Sequence, residues 1–159
     1  TLQDVIHQIN IHQHGLNLDI TDVGFGISQV LPVIVQGFLS HKNSLTIIEQ
    51  PEIHLHPKMQ AELADLFIDV VYSKDKRPNK KLLIETHSEY LLKRLRRRMA
   101  EGKLESKDVA IYFIHPRVKN SDSARIENIE INERGAFNWP KDFYADDLND
   151  TIEFLKHQE

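Results

Sequence analysis

The stretch that most limits what this chain can fold into is Ser44–Pro57, Ser-Leu-Thr-Ile-Ile-Glu-Gln-Pro-Glu-Ile-His-Leu-His-Pro. Its apolar, β-branched start, Leu45 to Ile48, reads as a buried parallel strand that stops abruptly at Glu49, Gln50 and the breaker Pro51. In open α/β sheets ligands sit outside the carboxyl ends of the strands, and an acid there can hold a magnesium ion that bridges nucleotide phosphates. A core strand that merely ends in an acid accounts for Ile47-Ile48-Glu49 equally well. The longer run to Pro57 favours a ligand site.

A second strand of the same kind, Lys81–Glu85, ends in Thr86-His87-Ser88. An imidazole in that place can hydrogen-bond a phosphate or an attacking water near neutral pH, and a strand-terminal histidine before a capped helix is the bland alternative. Ser88 falls at the N-cap of a helix over Glu89 to about Glu101. Between the two strands, Pro57 opens a helix to about Tyr72, with Leu63, Leu66, Phe67, Val70 and Val71 recurring at helical spacing. Residues 73–80 form a polar loop that returns the chain to the sheet. His54 and His56, one residue apart, can also be read as metal ligands with Glu49 or Glu52 as a third.

Nearer the amino end, Asp22-Val-Gly-Phe-Gly-Ile-Ser-Gln29 precedes an apolar helical segment, Val30–Leu39. Two glycines permit a tight turn and place Ser28 at the N-cap, so that backbone N–H groups and a hydroxyl face outward together, as phosphate sites require. A turn with an N-cap is the bland equivalent. Pro32 then falls in the first turn, where its missing N–H is not needed. Apolar positions alternate loosely over residues 5–20 around His14-Gly15 and predict a hairpin. His7, His12 and His14 have no carboxylate at a ligand spacing and read as surface histidines.

Toward the carboxyl end, Lys93, Arg94, Arg96, Arg97 and Arg98 gather on one helix, where cations favour the dipole and are usually solvated. A surface for nucleic acid or a partner protein is the alternative, without the interleaved aromatics that stack single strands. Val109–His115 and a strand marked by Ile126, Ile129 and Ile131 are expected to pair as an antiparallel hairpin. An aromatic-rich connection follows, with Phe137, Trp139 and Phe143 expected to pack on the core. A short helix over about Leu148–Lys156 ends the chain.

At 159 residues there is room for one domain with a sizeable core. The net charge of −4 and pI near 6.1 give no global attraction to polyanions. The absence of cysteine excludes disulfides, zinc–thiolate sites and thiol nucleophiles. No apolar run is long enough to span a bilayer, so a cytoplasmic protein with no membrane partner is expected. A chain opening on Thr1 is expected to be a piece of something longer.

Glu49–Pro57 resembles the Walker B and D-loop of ABC-type ATPases of the AAA family that includes the overcoming-lysogenization-defect (OLD) proteins and is related to the SMC and RecF heads. Thr86-His87-Ser88 is similar to the switch-histidine motif of these proteins, and Gly24–Gln29 takes the place of their signature motif, although it departs from the usual Leu-Ser-Gly-Gly-Gln. The resemblance implies an α/β, P-loop NTPase-like fold, here the carboxyl-terminal lobe of an ABC-type ATPase head. A mainly parallel sheet flanked by helices, with an antiparallel edge hairpin, is expected as a single domain over residues 1–159. Residues 1–131 would be the core lobe and 132–159 an extension that departs at Asp142 and Tyr144 from the family's Trp-Pro-x-Gly-Phe-Phe wording.

The same resemblance implies ATP and Mg2+ as cofactors, with Glu49 as the metal ligand. Gly24, Gly26, Ser28 and Gln29 would contact nucleotide, and Gln50, Glu52 and His87 would be catalytic positions. Implied partners are an upstream Walker A lobe of the same protein, a second copy in a head-to-head homodimer, and DNA. Slow ATP hydrolysis in DNA-related work or phage defence would be the complete protein's function, and a non-catalytic interaction module is the alternative.

Two departures qualify that picture. A Walker A cradle needs Gly-x-x-x-x-Gly-Lys-Ser/Thr, but the only Gly-Lys pair is Gly102-Lys103, and Arg97 stands where the first glycine belongs. This chain alone is therefore not expected to turn over ATP. Gln50 also stands where most ABC ATPases carry the water-polarising glutamate, and an amide cannot accept that proton. Either Glu52 takes over, or the protein works as a slow nucleotide-gated clamp.

Overall fold

The computed structural model describes residues 9–13, 15–19, 25–72, 79–117, 123–140, 143 and 145–157. His7, His14, Gly24, most of the 73–80 loop, Asp142 and Tyr144 lie outside them. The chain divides into two compact units, Thr1–Leu95 and Arg96–Glu159. Its architecture is mixed α/β, with small sheets and four α-helices among the described residues.

In the first unit, β1 (Asn10–Gln13) and β2 (Leu16–Asp19) pair antiparallel, with Ile11 opposite Leu18 and Gly15 at φ 81° between them, as a tight hairpin connection requires. α1 (Phe25–Leu39), β3 (Leu45–Glu49), α2 (Pro57–Val71), β4 (Lys81–Glu85) and the first part, to Leu95, of α3 (Glu89–Ala100) follow. β3 and β4 pair in parallel, from Leu45 opposite Lys81 to Glu49 opposite Glu85, with α2 as the crossover that parallel neighbours need. Val30 of α1, Leu63, Ala64 and Phe67 of α2, Leu91 of α3 and Leu55 form the buried core, against which Ile48, Leu82 and Ile84 of the strands pack.

Helix α1 opens a turn earlier than the sequence predicts. Its inward stripe of Gly26, Val30, Val33, Ile34 and Gly37 already has helical spacing at Gly26, so Ser28 lies in the first turn and is not the N-cap. Pro32 is consequently inside the helix, on its exposed side, where it supplies no N–H to the ladder. At the other end the Lys80 ammonium donates to the carbonyls of Gly37 and Phe38 at 2.8 and 2.9 Å, capping the helix with the charge its dipole favours.

The expectation of a mainly parallel sheet needs correction. Among the described residues the strands form three two-stranded sheets, of which only β3–β4 is parallel. β2, Leu-Asn-Leu-Asp, has two apolar residues and cannot be an interior parallel strand, which buries both faces. β3 and β4 are themselves covered on one face only. Thr46, Ile48, Leu82 and Ile84 turn inward, whereas Leu45, Ile47 and Leu83 are more than half exposed at 58%, 63% and 54%.

In the second unit, β5 (Ile111–His115) and β6 (Arg125–Ile129) form the expected antiparallel pair, with Ile111 opposite Ile129. Here too one face is covered, while Tyr112, Ile114 and Ile126 are exposed. Phe137, Trp139 and Phe143 pack as a chain of rings with centroids 4.6 and 4.8 Å apart, and Phe143 meets Phe113 edge-on at 6.3 Å. The Arg96 guanidinium lies over Phe137 and Trp139 and donates from Nε to the Gly135 carbonyl at 3.0 Å. Gly135 is at φ 76°, and a Cβ there would come within 2.7 Å of the Arg96 carbonyl oxygen, so glycine is required on both counts. α4 (Ala145–Lys156) ends the unit, three residues longer at its start than the sequence predicts.

Glu101 closes the carboxyl end of α3 by accepting from Arg98 at 2.6 Å and Arg97 at 2.7 Å, with Lys103 at 3.2 Å. These partners, Arg98 foremost, hold its carboxyl down from the ordinary 4.5 to about 2. A carboxylate depressed in the folded chain contributes stability that is full above its unfolded value and is lost as pH falls toward the folded one. Wild type should therefore lose stability relative to Glu101→Gln between about pH 4.5 and 2. Urea unfolding at a series of pH values checks this, and a constant difference across the window would refute it. The core makes a separate demand on this chain. Leu91→Ala, at 2% exposure, should cost about 2–5 kcal/mol. Leu83→Ala, on the open strand face, should cost less than about 1 kcal/mol by the same measurement.

Candidate functional site

The parallel register sets the site. Glu49 and Glu85 end their strands side by side, and the ladder runs one step further, with the Gln50 N–H donating to the Glu85 carbonyl at 2.8 Å. Pro51, which has no N–H, then stops the pairing. The chain makes two successive turns, closed by Ile53 N–H to Gln50 O at 3.3 Å and Leu55 N–H to Glu52 O at 3.0 Å. Gln50 at φ 45° and His54 at φ 62° occupy the left-handed region, which side-chain-bearing residues enter only when their surroundings hold them there. The turns bury Pro51, Glu52 and Leu55 and leave Ile53, His54 and His56 exposed.

Glu52 is 7% exposed, and its Oε1 accepts the His87 backbone N–H at 2.6 Å. This bond ties the turn after β3 to the segment after β4. Next to it, Thr86 Oγ1 accepts the Ser88 N–H at 3.0 Å, and Ser88 Oγ accepts the Leu91 N–H at 3.2 Å, the N-cap geometry predicted for α3. The Ser88 hydroxyl in turn donates to Gln60 Oε1 at 2.7 Å, and Gln60 Nε2 donates to the Leu55 carbonyl at 3.0 Å. Gln60 thus bridges the end of the β3 turn to the start of α3, a role the sequence analysis missed. Its signal was present, since a polar residue at position 60 continues the apolar stripe of Leu63, Ala64 and Phe67 backward by one turn.

The sequence-predicted residues fall into two groups. Glu49 and His87 are exposed, Gln50 is half-buried and Glu52 is buried, and all four lie on the two joined strand ends. Gly26, Ser28 and Gln29 lie at the start of α1, and Gly24 is outside the described residues. A Cβ on Gly26 would meet Leu55 Cδ2 at 3.0 Å and the His54 carbonyl at 3.6 Å, so this glycine lets α1 approach the turn after β3. His56 is the N-cap of α2, its Nδ1 accepting the Lys58 N–H at 3.3 Å.

Among the described residues no three His, Asp or Glu side chains come together as a metal cage. One exposed carboxylate, Glu49, nevertheless fits magnesium, which typically takes one or two protein carboxylates and completes its shell with phosphate oxygens and water. The basic run of α3 is matched internally. Lys93 pairs with Glu89 at 2.7 Å and Arg94 with Asp65 at 2.5 Å, Arg97 and Arg98 meet Glu101, and Arg96 is taken up by the aromatic loop.

The Gln60 bridge can be tested in isolation. Gln60→Leu keeps the volume but removes a donor from the Leu55 carbonyl and an acceptor from the buried Ser88 hydroxyl. It should cost about 1–3 kcal/mol in urea unfolding. A change below about 0.5 kcal/mol would mean that water replaces both bonds.

Neither a curated protein nor a solved structure matches the chain. A family model does, that of the AAA ATPase domain, over residues 2–92, which takes in both strand ends and the turn between β3 and α2. With more than half its length matched, the chain belongs to the AAA ATPase domain family, in which nucleotide use is implied.

Proposed function

We propose that this chain is the Walker B and switch-histidine lobe of an ABC-type ATPase head with a P-loop NTPase-like arrangement. The observation that carries the reading is the pairing of β3 with β4, which brings the exposed Glu49 and His87 to adjoining strand ends in a member of the AAA ATPase domain family. Glu49 offers a carboxylate to a magnesium ion, and His87 offers an imidazole to a terminal phosphate or a water. Bound ATP and magnesium would supply the phosphoryl group and the charge that polarises it. The start of α1, with Gly26, Ser28 and Gln29, has N–H groups in its first turn suited to phosphate, and in a head-to-head dimer these would face the nucleotide of the second copy.

The lysine-bearing phosphate cradle would come from an upstream Walker A lobe of the same protein. Exposure of Leu45, Ile47 and Leu83 on the parallel pair is consistent with further chain covering that face. DNA-related work or phage defence is the broader role that the OLD-like wording of Glu49–Pro57 supports, although Lys93, Arg94, Arg97 and Arg98 of α3, matched by Glu89, Asp65 and Glu101, do not supply a DNA surface of their own. A non-catalytic interaction module is the second reading, favoured by the amide at Gln50 in place of a carboxylate base.

Phosphate release separates the two. This chain alone should show no ATP turnover. Joined to its Walker A lobe it should bind ATP in a magnesium-dependent way that Glu49→Gln weakens, and Gln50→Glu should raise the rate by about 10²-fold where chemistry is limiting. Turnover by the isolated chain that His87→Ala abolishes would overturn the division into lobes. No magnesium-dependent binding in the joined protein would favour the interaction module.

A further inference from the structure

Glu52 sits three residues beyond Glu49, the metal ligand proposed above, and so competes for the role of general base. A base must touch the water it deprotonates. Neither oxygen of Glu52 is placed to do so. Oε1 is engaged at 2.6 Å by the His87 N–H, while Oε2 is sealed from solvent and accepts no hydrogen bond from the described residues. The residue as a whole is 7% exposed, beneath turns whose left-handed Gln50 and His54 carry the chain over it.

We propose that Glu52 is a positioning residue, a buried acceptor that fixes the main chain of His87 and thereby the place from which the imidazole addresses its ligand. Two observations favour this beyond the bond itself. Glu52 and His87 are 35 residues apart in sequence, so the bond closes a long loop, and a charged acceptor strengthens an N–H bond roughly twofold over a neutral one. Leaving Oε2 without a donor has a cost that packing alone would not retain, since an apolar side chain would avoid it. The carboxylate is kept for its one bond. The turnover arm of the test rests on the ATPase reading above, whereas the bond itself does not.

The isostere Glu52→Gln separates the roles. A glutamine retains a carbonyl acceptor for the His87 N–H but cannot act as a base. In the Walker A-joined protein a positioning role predicts that Glu52→Gln keeps kcat within about 5-fold, while Glu52→Ala lowers kcat by about 10-fold or more with little change in KM for ATP. A base predicts that both fall alike, by about 10²-fold or more, with loss of the acid limb of the pH–rate profile. That result would overturn the proposal. On this chain alone, the His87 amide proton should exchange with solvent slowly in wild type and in Glu52→Gln, and about 10-fold or more faster in Glu52→Ala relative to core amides. Fast exchange in wild type, or unchanged exchange in Glu52→Ala, would refute the bond whatever the ATPase outcome.

Discussion

The hydrogen bond from the His87 N–H to the Glu52 carboxylate is the constraint on which the rest of the site depends. Parallel neighbours cannot be joined by a tight turn, so the ends of β3 and β4 are 36 residues apart along the chain, from Glu49 to Glu85, and would diverge once the ladder stops. Three contacts prevent this. Gln50 extends the ladder by one bond, Glu52 clasps the main chain of His87, and Gln60 connects the Leu55 carbonyl to the Ser88 hydroxyl. Each contact comes from a residue in or just after the Glu49–Pro57 stretch, which explains how so short a motif can set the position of residues far along the sequence.

Packing supports those bonds from behind. Leu55, at the end of the second turn, is buried with Val30, Leu63, Ala64, Phe67 and Leu91, so the turn is anchored to α1, α2 and α3 at once. Gly26 permits the approach of α1, and Gly37 does the same against α2, where a Cβ would come within 2.9 Å of Val70 Cγ2. By contrast, the outer face of β3–β4 exposes Leu45, Ile47 and Leu83. Parallel strands are ordinarily covered on both faces, and the additional lobe proposed above would supply that cover.

Much of this was legible in the sequence where a local rule determines the outcome. Pro57 opens α2, Ser88 caps α3, and the short apolar runs within Leu45–Glu49 and Lys81–Glu85 are strands, because each follows from one side chain's geometry or from a simple pattern. The start of α1 was not legible, because two glycines signal a turn, whereas here Gly26 serves close packing inside a helix. One-sided cover of the parallel pair was not legible either. A short apolar run reads the same whether one face or two is buried. Within the site, the proximity of the residue 49–52 and 86–88 segments follows from the pattern, but the roles within it do not.

Glu49 and Glu52 make that last point concrete. Two acids three residues apart would lie on opposite sides of a continuing strand, with no rule for which is buried. Pro51 ends the strand, and the left-handed conformation of Gln50 turns the chain so that the second acid goes inward and the first stays in water. Solvent access then divides the chemistry between them. An exposed carboxylate can exchange its water shell for a hydrated cation at little cost. A sealed one has lost its hydration and must be satisfied by fixed donors of the protein, and one N–H meets that need only in part. The strained backbone between them is therefore what separates a solvent-facing acid from a scaffold-facing acid within four residues of chain.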